Sequence, residues 1–282
     1  VRLTSPDREV YPGEGITKRH VAEYYEAVAE WLMPELAERP TSLLRCPDGI
    51  GGDCFFQKKH ADSLGPGVHA VCLDERDGED EYIYVRDIEG VLSLVQMNAI
   101  EFHPWGARRR SPEKPDRLVF DLDPADGVPW KDVLRAAREV RDRLSAAGLE
   151  SWPRLSGGKG IHVCVPLEPR AGWDRAKDFA EAVARAMAGD SPDRYVANAS
   201  KELRRGRIFI DWLRNGRGNT SVAGWVLRAR PGAPVAMPLR WDELGRTRSG
   251  GHWDIHSARR RAARLRSDPW EGFFQVRQRL PR

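Results

Sequence analysis

Two aspartates set two positions apart at the end of an apolar run, in Arg117-Leu-Val-Phe-Asp-Leu-Asp-Pro124, could hold a hard cation. Side chains on a strand alternate faces, so Val119, Asp121 and Asp123 point one way while Leu118, Phe120 and Leu122 point the other. Neighbouring carboxylates repel unless a cation lies between them, and oxygen ligands suit Mg²⁺ or Mn²⁺. A third carboxylate, Asp211, closes the apolar run in Arg207-Ile-Phe-Ile-Asp-Trp212. Asp121, Asp123 and Asp211 together could bind two divalent ions about 4 Å apart, one activating an attacking oxygen and one steadying a leaving phosphate. An Asp before Pro is also ordinary strand-end chemistry, and Asp211 alone could cap a neighbouring turn. The metal reading therefore draws its weight from the motifs around it.

The first of these is Ser156-Gly-Gly-Lys-Gly-Ile-His162, a glycine-rich cationic turn directly before the strand-like run that ends at Pro166. Gly157, Gly158 and Gly160 let backbone N–H groups turn toward an anion, while Ser156, Lys159 and His162 supply side-chain donors. The spacing is not that of a Walker A loop, and a plain β-turn with a solvated Lys is the bland alternative. Phe55-Phe56-Gln57-Lys58-Lys59-His60 couples aromatic faces to cations. Adjacent strand residues face opposite ways, so one Phe can fill the core while the other is free to stack on a base. His103, in Glu101-Phe-His-Pro-Trp105, reads on its own as a structural hydrogen bonder.

These groups need a scaffold, and 282 residues with 40% hydrophobic composition and ten Trp provide for a large folded core. No apolar run reaches membrane-spanning length, and the polar start lacks the apolar segment of a signal peptide, so a soluble intracellular protein is expected. Val1 in place of Met suggests a piece cut from a longer chain. Cys46, Cys54, Cys72 and Cys164 lack C-x-x-C spacing and are expected to be reduced thiols. Net charge is only +4, but Arg clusters at 108–110, 204–207 and 259–266. Such clustering fits a polyanion-binding face, with a salt-bridged helix surface the alternative for the last cluster.

Val21, Tyr24, Val28 and Leu32 recur at helical spacing, predicting a helix over 17–33 closed by Pro34. Lys18 and Arg19 fall in its first turn, where the helix dipole disfavours cations unless an anion is near. Short strands are expected at 54–57, 68–73, 82–85, 118–122, 161–165 and 208–212. Helices are expected at 129–147, stopped by Gly148, and at 174–188. Elements are mixed rather than strictly alternating, which favours an α+β sheet core flanked by helices.

In this order, these residues resemble the polymerase domain of bacterial ATP-dependent DNA ligase D, in the archaeo-eukaryotic primase superfamily. The matching pieces are Tyr11-Pro-Gly-Glu-Gly-Ile-Thr-Lys18, Phe-Phe-Gln-Lys at 55–58, Glu-Phe-His-Pro-Trp at 101–105, Phe-Asp-Leu-Asp-Pro at 120–124, Ser-Gly-Gly-Lys-Gly-Ile-His at 156–162, Ile-Asp-Trp at 210–212 and Leu-Arg-Ala-Arg at 227–230. They span nearly the whole chain, so residues 1–282 are expected to form a single primase-like polymerase domain with a primase-type palm, excised from a longer multidomain ligase.

The resemblance implies nucleotidyl transfer to a 3′-hydroxyl in non-homologous end joining, favouring ribonucleotides and Mn²⁺ (or Mg²⁺). It makes Asp121, Asp123 and Asp211 the catalytic, metal-binding carboxylates. Ser156, Lys159 and His162 would contact the triphosphate, and His103 would lie at the nucleotide. Phe55 and Phe56 would border the bases, Arg228 would hold phosphate, and Arg204 and Arg214 would hold phosphate or template. Lys18 would meet the 5′-phosphate of a DNA break. The implied partners are DNA ends with a 5′-phosphate, nucleoside triphosphates, the end-binding protein Ku, and ligase and other modules of the same polypeptide, in a bacterial cytoplasmic, nucleoid-associated setting without a membrane. Where the family usually has Ala-Pro-Tyr-Ser, this chain reads Ala223-Gly-Trp-Val226, and Arg214 stands where some relatives have Gln. Two rivals remain at this stage: a nucleotide-sugar glycosyltransferase with an acidic metal motif, and a non-catalytic DNA-end-binding module.

Overall fold

The run Leu118, Phe120, Leu122 buries completely and so do Ile161, Val163 and Val165, because these residues share one face of two paired strands. A computed structural model describes residues 1–59, 64–75 and 78–281; His60, named above with the aromatic–cation run, lies outside them. The first part of the chain runs β1 (Glu9–Tyr11), β2 (Ile16–Thr17), α1 (Lys18–Ala27), α2 (Ala29–Leu36), β3 (Thr41–Arg45), β4 (Phe55–Gln57), β5 (Val68–Glu75), β6 (Gly78–Val85), α3 (Ile88–Gln96) and β7 (Ala99–Pro104). The rest comprises β8 (Arg117–Pro124), α4 (Trp130–Ala146), β9 (Trp152–Leu155), β10 (Ile161–Pro166), α5 (Trp173–Asp190), β11 (Tyr195–Val196), β12 (Ile208–Asp211), β13 (Met237–Pro238), α6 (Trp241–Leu244) and α7 (Ile255–Ala262).

The central sheet has six strands in the order β11-β12-β8-β10-β9-β13, antiparallel except for the parallel β11–β12 pair. Helix α4 packs on β8 and β10 through Val133, Ala137, Val140 and Leu144, all buried. Val133, Val140 and Leu144 each contribute roughly 1.5–3 kcal/mol on burial, and Ala137 about 0.8 kcal/mol. Gly148, at φ +77°, ends this helix in the left-handed conformation that glycine adopts without steric cost. On the opposite face of the sheet, Val119 and Cys164 are covered by Trp270 and Phe273 from the C-terminal segment. A second sheet, β4-β3-β7, carries β7 to the open part of that face, and β5–β6 forms a separate hairpin. The result is the α+β fold with a sheet core flanked by helices that the sequence predicts.

Two expectations need correction. The helix expected over 17–33 is two helices broken at Val28, and Pro34 lies inside α2 rather than ending it. The apolar positions were still a true guide to its inner face, since Val21, Tyr24, Val28 and Leu32 are all buried. The cysteines are not all free thiols either: Cys46 and Cys54 are joined in a disulfide, their Cα atoms 4.3 Å apart. Arg45 and Phe55 are register partners in β3 and β4, so the next residue outward on each strand is brought face to face. Cys72 and Cys164 are free.

Candidate active site

Register alone builds the centre of the site. Asp211 on β12 stands opposite Asp121 on β8, Asp121 opposite His162 on β10, and His162 opposite Arg154 on β9. Cross-strand partners point to the same face, so four polar side chains form one row across the sheet. Asp123, two residues along β8, joins them from the strand end. His162 Nε2 lies 3.4 Å from Asp121 Oδ1. Arg214 bridges two carboxylates, with Nη2 3.3 Å from Asp121 Oδ2 and Nε 3.2 Å from Asp211 Oδ2. Arg204 Nη1 donates to Asp123 Oδ2 at 3.1 Å while its guanidinium lies over the Phe209 ring.

The three carboxylates are not equivalent electrostatically. Burial disfavours ionisation of Asp121, but the hydrogen bond from His162 and the Arg214 charge outweigh it and hold this carboxyl well below the usual range. Asp123 is pushed up by burial and by the Asp121 charge, and Asp211 is pushed up by burial despite Arg214. His162 is lowered, chiefly by burial, against the pull of Asp121.

The glycine-rich turn between β9 and β10 forms the next wall. Ser156 Oγ accepts from the N–H groups of Gly158 (3.2 Å) and Gly160 (3.1 Å), which leaves its own proton free to donate. Gly157 has φ +68°, and a Cβ there would come within 2.6 Å of Arg228 and 2.8 Å of the Ala236 nitrogen. The turn thus needs glycine for packing against the strap at 226–236 as well as for its backbone shape. Lys159 is exposed and paired with Asp126.

Strand β7 supplies the facing wall. Glu101 and His103 lie on the same side of it, and Glu101 Oε2 meets His103 Nε2 at 2.8 Å and accepts from Arg228 Nε at 3.0 Å. Glu101 Oε1 accepts from the Ala229 N–H. Burial opposes this carboxylate, yet its three donors bring its pKa down to about 2. His103 is lowered by burial, with Glu101 pulling the other way.

The cleft, about 360 Å³, gathers His103, Asp121, Asp123, Ser156, Lys159, His162, Arg214 and Arg228, together with Arg230, Ser221 and Val222. Asp211 adjoins it through Arg214, and Arg204 sits in a contiguous pocket with Asp123 and Lys159. Phe55 and Phe56 are both exposed, so neither fills the core as expected of one of them, because β4 is an edge strand of its sheet. The Phe56 ring stands edge-on to His103 at 5.4 Å, and the Arg45 guanidinium lies over Phe55. Lys18 is not in the cleft: it is buried, and its Nζ donates to the Gln96 carbonyl at 2.9 Å. Burial and the neighbouring Arg8 lower its pKa. Of the last Arg cluster, Arg259 pairs with Glu23 and Arg261 with Glu243. Glu101 has one sequence signal, its position two before His103 on the same strand face.

Hard carboxylate oxygens suit Mn²⁺ or Mg²⁺, and Asp121 and Asp211 already converge on a single cationic group, Arg214. Among the described residues no three His, Cys, Asp or Glu side chains close on one point, since Asp123 is turned to Arg204. The donor types fit a divalent ion, to which Asp123 would contribute only on releasing Arg204.

An α+β sheet with paired strand-end aspartates facing a glycine-rich cationic turn defines a primase-type palm. Residues 17–270 match the model of the LigD primase-polymerase domain, and the chain belongs to that family. It is 40% identical over 281 residues to the multifunctional non-homologous end joining protein LigD of Pseudomonas aeruginosa, covering 99% of this chain and 34% of that protein. The LigD of Mycolicibacterium smegmatis is 34% identical over 246 residues, covering 86% of this chain and 32% of its own length. The chain thus spans about a third of the curated relatives it matches. Among solved structures, the polymerase domain from Mycobacterium tuberculosis ligase D in complex with DNA is similar at a TM-score of 0.90 and 32% identity, over 97% of this chain and 98% of that one.

Proposed function

We propose that this chain is a metal-dependent, DNA-directed nucleotidyltransferase that adds nucleotides, ribonucleotides by preference, to 3′-hydroxyl ends during non-homologous end joining. The carrying observation is the row Asp211–Asp121–His162, whose Asp121 and His162 line one cleft with the adjoining Ser156–Gly160 turn. Carboxylates for cations stand there beside donors for a triphosphate. Family membership supports the same reading, as does the DNA bound to the similar M. tuberculosis domain.

Asp121, Asp211 and Asp123 would hold two Mn²⁺ (or Mg²⁺) ions, which when bound lower the pKa of the primer 3′-hydroxyl and neutralise phosphate charge. The chain's own donors bind and orient the triphosphate: Ser156 through its free hydroxyl proton, Lys159 through its charge, and His162 through Nε2–H. Arg228, braced by Glu101, and His103 hold the nucleotide from the facing wall. The hydroxyl loses its proton to solvent and attacks the α-phosphorus, the α–β phosphoanhydride bond breaks, and pyrophosphate leaves. Phe55 and Phe56 border the bases at the mouth, and Arg204, Arg214 and Lys18 contact DNA phosphates, Lys18 at a 5′-phosphorylated end. Ku and the ligase and other modules of a longer polypeptide are the proposed partners, in a bacterial cytoplasm at the nucleoid. No helix among the described residues is long and apolar enough to cross a membrane.

The test is extension of a labelled, template-annealed primer with ribo- or deoxyribonucleoside triphosphates, in Mn²⁺, in Mg²⁺ and in chelator. Metal-dependent extension, stronger with ribonucleotides, is expected. Absence of extension in every metal condition overturns the reading.

A further inference from the structure

Behind the cleft, a line of buried charged side chains continues from His162 into the core. Arg154 is only 1% exposed, and its Nη2 lies 3.0 Å from His162 Nδ1. Its Nη1 donates to Glu35 Oε2 at 2.7 Å. Glu35, on α2 and also buried, accepts from Arg117 Nη1 at 3.4 Å and, through Oε1, from the Gly224 N–H at 3.1 Å. The Arg154 guanidinium also sits over the buried Trp270 ring, 5.5 Å from its centre. Neither Arg154 nor Glu35 lines the cleft.

A guanidinium has five N–H groups and no acceptor. The contact with Nδ1 therefore has only one polarity: Arg154 donates and Nδ1 accepts. A neutral imidazole that accepts at Nδ1 carries its proton on Nε2, and Nε2 is the nitrogen aimed at Asp121. We infer that Arg154, anchored by Glu35, is a positioning residue for nucleotidyl transfer, fixing the ring orientation and tautomer of His162 so that an N–H always faces Asp121 and the phosphates. Without Arg154 the ring can turn over or shift its proton to Nδ1, presenting an acceptor or a carbon to the reacting groups. The inference rests on the proposed function for its catalytic consequence, but not for the tautomer. Trp270 below and Glu35 beside it hold the Arg154 guanidinium in this orientation, as a positioning contact requires.

Truncating Arg154 alone would leave the buried Glu35 carboxylate with the longer Arg117 contact and the Gly224 N–H, and threaten folding. The double change Glu35→Gln with Arg154→Met removes both charges at similar volume, and Gln retains an acceptor for the Gly224 N–H. The first readout is the ¹⁵N–¹H long-range correlation spectrum of the imidazoles in metal-free, nucleotide-free protein. The chain has seven histidines, so the His162 signals are assigned by their loss in His162→Gln. The wild-type chain should show His162 protonated at Nε2 alone, and the double variant a mixture that includes the Nδ1 tautomer. The second readout is primer extension, where kcat should fall roughly tenfold to a hundredfold, as for other residues that orient a ligand from behind. The nucleotide KM and the DNA affinity should move less than about threefold. Arg154→Lys, which keeps a donor, should recover part of the rate and the single tautomer. An unchanged His162 spectrum in the double variant overturns the inference whatever happens to the rate. A changed spectrum with unchanged kcat overturns its catalytic part. Inactivity of the wild-type chain would instead sink the proposed function, while the spectra still decide the tautomer.

Discussion

The acidic wall of the cleft and its cationic rim are held by different forces. Asp121, Asp211 and His162 are placed by strand register, and their backbones are locked in a sheet whose other face is fully buried. The rim cations come from loops and single-turn 3-10 helices and are placed by counter-ions: Arg204 by Asp123, Arg214 by Asp121 and Asp211, Lys159 by Asp126, Arg228 by Glu101. Under the proposed function, a bound divalent ion or triphosphate would leave the first group where it is and make the second exchange partners. The wall should therefore govern the chemical step, and the rim should govern binding and its salt dependence.

The hardest test of that division is Asp121→Asn, which keeps the shape of the side chain and removes its charge. We expect primer extension to fall by at least about a thousandfold, the scale on which transition-state charge stabilisation operates. DNA binding in a gel shift should change by less than about threefold, since end affinity comes from basic contacts. Extension within tenfold of wild type would mean that register does not define the reacting centre.

Glu101 sits between wall and rim, and it sharpens the comparison because its effect on stability is separable from catalysis. Its folded pKa, about 2, lies below the ordinary 4.5, so its ionised form stabilises the fold above pH 4.5 and that contribution fades as pH falls toward 2. The shift corresponds to on the order of 3 kcal/mol for this buried group. Glu101→Gln should flatten the acid limb of stability between those pH values, read by denaturant unfolding at stepped pH. An acid limb as steep as that of the wild type would remove Glu101 as the brace of Arg228 and His103.

The same division explains what can be read from residues alone. Helix α4 announces itself because it buries one face and wets the other, so period 3.6 is visible, and β8 because Asp121 and Asp123 alternate with Phe120 and Leu122 at its end. Strand β7 does not, since all six of its residues are buried, and α3 is apolar along much of its length, so neither shows an alternation. Asp121 and Asp123 are conspicuous as charges inside an apolar run. Arg154 is more deeply buried but lies in a four-residue strand without pattern, and its partner Glu35 is 119 residues away. The Cys46–Cys54 pair was hidden for a similar reason, because strand pairing rather than spacing brings the two together. Lys18 was conspicuous as a cation in a helix's first turn, a signal that does not show which group meets it.

On the rim proper, Lys159→Ala removes an exposed cation that must leave Asp126 before it meets phosphate. Part of its interaction energy is spent on that exchange, so we expect the nucleotide KM to rise only about tenfold, with kcat and DNA affinity nearly unchanged. A kcat loss comparable to that of Asp121→Asn would place Lys159 in the chemical step and blur the division. Unchanged nucleotide kinetics would leave the residue a solvated turn cation.

The smallest effect is expected at Lys18, the proposed site residue farthest in character from the rest. Its Nζ gives one proton to the Gln96 carbonyl, leaving two, and the nearby Arg8 adds a second positive charge in a partly desolvated setting. Lys18 donates to the Gln96 carbonyl and Arg8 to the Asn98 side-chain oxygen, both neutral acceptors, so two adjacent cations gain from an anion and a 5′-phosphate would be held there. Because Arg8 remains in Lys18→Met, only part of that attraction is lost. We expect the preference of the wild-type chain for 5′-phosphorylated over unphosphorylated gapped duplex to shrink by roughly threefold to tenfold at low salt, within the range of one charge-assisted hydrogen bond. Binding of the unphosphorylated duplex should be unaltered, which separates loss of a phosphate contact from general damage. If the wild-type protein binds both duplexes equally, Lys18 is a helix-packing residue held by Gln96, and end recognition must be sought among the exposed arginines instead.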